Sequence, residues 1–174
     1  YRAGCLFHLG RIGEAADLFE RLVLQEDASA SNYLQFAWVL LQTGALEEAQ
    51  RNALEGEAYF FADLLFALSF FETPEEGAWP TNPWDDRYTL DEIETETDLI
   101  LGVLPDFFGK EETCNTLTHK LEVLRENIGF SPILEFFCAR ILAHNGQHGE
   151  ALAILDALRA RGVNSKYIHY HSAY

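Results

Sequence analysis

The sequence predicts an all-α protein, a right-handed superhelical array of antiparallel helix hairpins (an α-solenoid) with an irregular Trp/Pro insertion in its middle. Three observations predict it. Ala3, Gly10 and Ala15 return one constant step later as Ala37, Gly44 and Ala49, and after four such steps as Ala139, Gly146 and Ala151; a fixed period of this length marks a repeat architecture. In the two clearest units, 9–20 and 43–54, a glycine closes one amphipathic stretch and the next begins shortly after, because glycine takes the left-handed conformation without steric cost. Leu18, Phe19, Leu22 and Val23, and later Leu152, Ile154, Leu155 and Leu158, keep the spacing of a helix with one buried face.

The first hairpin runs from the tail of a helix at 1–9 to its partner at 12–25, and the second pairs 31–42 with 46–54. Ala3, Ala37 and Ala139 fall on first helices and Ala15, Ala49 and Ala151 on second ones, where a small side chain lets two helix axes approach closely. A further helix at 57–72 is apolar on most of its circumference and must be covered on more than one side. From 73 to 88 the prolines Pro74, Pro80 and Pro83 exclude a helix, while Trp79 and Trp84 predict packing rather than disorder. Thr89 with Glu92 forms a capping box for a helix that Pro105 stops after Leu104. Another helix spans 110–128 and ends at Gly129; Ser131 with Pro132 in the first turn opens the next. Alternating first and second helices require an even number between Leu54 and Pro132, yet three are counted. Either one is an insertion or two form one bent helix.

The constant step, with a small residue, a Leu-Gly or its equivalent, a second small residue and an apolar follow-up, resembles the tetratricopeptide repeat at 3–27, 37–54 and 139–158. The resemblance implies a protein-binding scaffold whose first helices line a concave face. Its binding positions are then Ser31, Leu34, Trp38, Leu41 and Gln42 in the second repeat, and Ile133, Phe136, Arg140, Ala143 and His144 in the late one. Trp38 and Phe136 either anchor a partner there or pack between helices. Clamps of this family for acidic chaperone tails use Lys, Arg and Asn in the groove; Arg140 is the one cation at these positions, so capture of a carboxylate tail is not expected.

The 174 residues form one repeat domain in this reading: repeats at 1–56, a degenerate repeat with the 73–88 insertion at 57–130, and repeats at 131–174. Both ends fall inside a repeat, so the chain is expected to be a fragment of a longer array. With 28 acidic and 12 basic residues the formal charge is -16. Such a charge repels nucleic acid and anionic lipid and favours a basic or neutral protein partner. No apolar run reaches transmembrane length. Cys5, Cys114 and Cys138 lack paired spacing and are expected to be buried thiols in a reducing, cytoplasmic compartment.

No sequence pattern points to catalysis, a cofactor or a metal. His144 and His148 are separated by the turn at Asn145 and Gly146, which removes the helical geometry a zinc site needs, and His169 and His171 point to opposite helix faces. The run Asp91, Glu92, Glu94, Glu96 and Asp98 is expected to be a solvated helix face. The expected function is therefore a non-enzymatic scaffold holding a peptide or helix of a partner. A second reading makes the array a helper region of a larger enzyme or of a secretion or polysaccharide-export machine. A third closes the Trp/Pro insertion over a small apolar ligand.

Overall fold

Glycine closures and side-chain caps divide the chain into helices. The computed structural model describes residues 2–72, 84–103 and 111–171. It contains α1 (Arg2–His8), α2 (Ile12–Val23), α3 (Ala30–Thr43), α4 (Leu46–Glu55), α5 (Tyr59–Glu72), α6 (Leu90–Val103), α7 (Glu111–Ile128), α8 (Pro132–His144), α9 (His148–Ala160) and α10 (Lys166–His171). Among the described residues there is no strand, and no helix is long and apolar enough to cross a membrane.

The three repeated glycines close their helices identically. Gly44 sits at φ 79°, its N–H donates to the Leu41 carbonyl at 3.2 Å, and the Ala45 N–H donates to the Leu40 carbonyl at 3.1 Å. Gly146 and Gln147 donate in the same way to Ala143 and Leu142, and Gly10 and Arg11 to Phe7 and Leu6. This pair of bonds is the Schellman closure, which satisfies carbonyls that a helix end would otherwise orphan. The N-terminal caps follow the sequence as well. Ser131 Oγ accepts from the Leu134 N–H at 3.2 Å, and Thr89 and Glu92 form the expected reciprocal box, each accepting from the other's backbone N–H.

Helix starts keep the hairpin spacing. α3 and α4 begin at Ala30 and Leu46, α8 and α9 at Pro132 and His148, and the interval is the same in both pairs. α10 begins one full repeat step after α8, at Lys166, but α5 begins at Tyr59, ahead of the Leu64 at which a strict count from Ala30 would put it. The shortening lies in α4, ten residues long, and in the turn behind it. There Gly56 is needed for space: a Cβ would stand 3.0 Å from Leu34 Cγ and 3.2 Å from the Ala30 carbonyl oxygen. Among the described residues α5, α6 and α7 are three separate helices between α4 and α8, so the odd count persists there. Residues 73–83, with Trp79, lie outside the described residues; Trp84 is fully buried and its carbonyl accepts from the Arg87 and Tyr88 N–H groups.

The chain divides into two units, one holding Tyr1–Glu75 with Gly102–Thr113 and the other Glu76–Leu101 with Cys114–Tyr174. In the first, α1 packs on α2, α2 on α3, α3 on α4 and α4 on α5. Phe19 of α2 stacks on Phe36 of α3, and Trp38 of α3 meets Phe61 of α5 with ring centroids 5.8 Å apart. α5 buries Phe60, Phe61, Leu64, Leu65 and Leu68 and leaves Tyr59 and Phe66 partly exposed, the coverage its composition demands. In the second unit α8 packs on α9 and α9 on α10, while Arg125 of α7 donates through Nε and Nη2 to the Glu135 carboxylate of α8 at 2.9 and 2.6 Å.

The six repeated alanines are all buried, none more than 3% exposed. Their register is therefore a packing register. Replacing Ala49 by leucine is expected to overpack the α3–α4–α5 contacts and cost on the order of 1 to 3 kcal/mol, read as a lower urea midpoint with unchanged slope. An unchanged midpoint would show that this helix interface has room to spare.

Candidate functional site

The residues assigned to a concave face divide by burial. In α3, Leu34, Trp38 and Leu41 are core side chains, at 2%, 0% and 1% exposure; in α8, Ile133 and Phe136 are buried at 5% and 0%. In this structure they pack between helices instead of standing open to a partner. Every residue of α3 from Phe36 to Leu41 is buried, so that helix has no single apolar stripe from which a facing direction could be read. Ser31, Gln42 and Ala143 are half-buried and His144 is exposed. Ser31 Oγ accepts from Gln35 Nε2 at 3.0 Å. Partial desolvation, reinforced by the nearby Arg140 charge, holds the His144 imidazole below its ordinary pKa.

Arg140 is engaged within the chain. Its guanidinium pairs with Glu94 and Asp98 of α6. Glu94 also meets His171 of α10, Oε1 to Nε2 at 3.0 Å, and Lys166 of α10 lies 3.6 Å from Asp91. A hydrogen bond from Tyr167, then the Lys166 charge, hold the Asp91 carboxyl below its usual range. Of the paired carboxylates Asp91, Glu94 and Asp98, the expectation of a solvated face is corrected for Glu94, whose side chain is 15% exposed, and holds for the other two at 64% and 62%. All three stand at i, i+3 and i+7 and share one side of α6, where α8 and α10 supply the opposite charges. Glu92 is exposed; the Thr89 backbone N–H, then the Thr89 hydroxyl, lower its pKa.

The remaining buried arc of α6 is apolar except for Thr97. Ile93 and Thr97 are fully buried, Ile100 is 2% and Leu101 9% exposed, and Thr97 Oγ1 has no hydrogen-bond partner among the described residues. The turn before α6 joins the same unit: Asp85 Oδ1 accepts from the Ser131 hydroxyl at 2.6 Å, so the N-cap of α8 is itself fastened. A helix bonded through two adjacent arcs is held in both rotation and register. The side chains that hold it are legible in the sequence only in part. The i, i+3, i+7 triple is there to be read, but the alternation of Glu94, Glu96 and Asp98 draws attention to carboxylates that diverge.

Beside the cluster a cleft of about 260 Å³ opens between Ala139, Arg140 and Ala143 of α8, Leu152 and Leu155 of α9, and His171. Its lining is mostly apolar, with Arg140, His148 and His171 as the polar members. Cys138 faces a separate cleft of about 240 Å³ with Arg125. Burial, opposed only in part by the Arg125 charge, pushes its thiol up to about 12, so it is not a thiolate nucleophile near neutral pH. Cys5 is exposed, contrary to the expectation of a buried thiol; the Cys114 side chain lies outside the described residues.

Comparisons with family models, with curated proteins and with solved structures return no match.

Proposed function

We propose that this chain is a non-enzymatic interaction scaffold of the tetratricopeptide-repeat type, its hairpins stacked as successive turns of a right-handed superhelix that holds a peptide or helix of another protein. The observation that supports this reading is the packing register: six alanines in repeat positions at 3% exposure or less. The shared Schellman closures and the equal hairpin steps fit the same architecture. The N-terminal hairpins, residues 2–72, carry eleven carboxylates against four arginines, which favours a basic or neutral peptide at that end. The free thiols of Cys5 and Cys138 suit a reducing compartment such as the cytoplasm.

A peptide-array screen of the chain, followed by titration at two ionic strengths, tests the reading. Basic peptides are expected to be retained, with association slowing as salt rises from 50 to 300 mM, roughly the range over which the screening length shrinks to below 10 Å. No retained peptide from a folded chain would overturn the scaffold. Acidic peptides retained equally by the Arg140→Met variant would overturn the charge argument for the N-terminal hairpins.

A further inference from the structure

α6 stands outside the hairpin spacing. It begins at Leu90, between α5 at Tyr59 and α7 at Glu111, and both intervals exceed the one that the pairs α3/α4 and α8/α9 share. Yet α8 and α10, one repeat step apart, both turn side chains onto its acidic side: Arg140 from one, Lys166, Tyr167 and His171 from the other. The charge is divided accordingly. Residues 84–103 hold seven carboxylates against one arginine, whereas residues 111–171 hold seven against six lysines and arginines. An acidic helix is seated on a part of the chain that is locally near neutral and supplies cations where the helix needs them.

We propose that α6 is a built-in occupant of a helix-binding face formed by α8 and α10. The partner this face takes is an acidic amphipathic helix of the same pattern, with carboxylates at i, i+3 and i+7 beside an apolar stripe. The inference rests on the scaffold reading and names the partner class for one of its faces. α6 shows what such a helix must present: a carboxylate that receives Arg140 and a histidine together, a second one helical turn on for the same guanidinium, and a third near Lys166 and Tyr167. Being part of the chain, α6 competes at an effective concentration on the order of millimolar, which keeps the face closed to a free helix of equal strength and opens it to one that binds more tightly or arrives when α6 is loosened.

The test uses the full chain and two fluorescent peptides, one with the sequence of residues 88–103 and one carrying Glu94→Gln and Asp98→Asn. The wild-type chain is expected to take up neither. A chain whose own α6 carries Glu94→Gln and Asp98→Asn is expected to bind the acidic peptide about tenfold more tightly than the neutral one, as loss of charge-assisted hydrogen bonds implies. Adding Arg140→Met should abolish that preference. A variant with wild-type helicity that binds both peptides alike, or neither, overturns the proposal.

Should the loosened chain fail to fold, native-state hydrogen exchange on the wild type decides. The α6 amides are expected to exchange through an opening that leaves α8 and α9 protected, and simultaneous exchange of all three overturns the proposal. If the wild-type chain retains array peptides while the loosened one refuses the acidic helix, the proposal falls and the scaffold reading stands. Absence of any binding by both folded chains removes the scaffold reading itself.

Discussion

Trp38→Ala is expected to destabilise the chain by about 3 to 5 kcal/mol, the cost of emptying a fully buried aromatic site. The indole is 0% exposed and lies against Phe61, so its removal unpins α3 from α5 as well as opening a cavity. Against a total stability of about 5 to 15 kcal/mol typical of folded chains, this is a large share. Urea unfolding followed by circular dichroism measures it. Partner affinity should fall only as the folded fraction falls. A variant as stable as the wild type but weakened in binding would return Trp38 to the partner-contact surface.

Arg140→Ala is expected to cost about 2 to 4 kcal/mol, because it leaves Glu94 turned inward with its main counter-charge gone. The side chains of Arg140 and Glu94 are 11% and 15% exposed, so water replaces the lost partner poorly; Asp98, at 62%, is readily resolvated. Replacing both residues, Arg140→Met with Glu94→Gln, is expected to recover part of the loss, since no carboxylate is then stranded. Paired urea titrations of the single and double variants measure the recovery. A double variant no better than Arg140→Ala would mean that the guanidinium acts through its packing and not through its charge.

The helices and their limits were legible because their signals are local. Ser131, Thr89 with Glu92, and the repeated glycines each act within a few residues, and each makes the bond its chemistry predicts. The alanine register was legible because close approach of two helices tolerates nothing larger. Direction was not. In α3 and α8 apolar residues extend so far around the helix that periodicity cannot separate an outward face from an inward one, and so Trp38 and Phe136 could be read as anchors although both are buried. The fate of the acidic run was hidden for another reason. Its counter-charges lie far along the chain, at Arg140 and Lys166, beyond the reach of any local pattern.

That separation sets an order of events in time. Each repeat hairpin closes over a short stretch, Ala30 to Leu46 or Pro132 to His148 from helix start to helix start. Glu94 and His171 instead close a loop several times longer, an extra entropic cost of about 1.4 kcal/mol. The hairpins can form as soon as they are complete, and the contact that joins α6 to α10 comes late. During synthesis at roughly 5 to 20 residues per second, α6 waits about 4 to 15 seconds between the appearance of Glu94 and that of His171. Until its partners arrive, the carboxylates that later bind Arg140 and Lys166 help keep the waiting helix in solution.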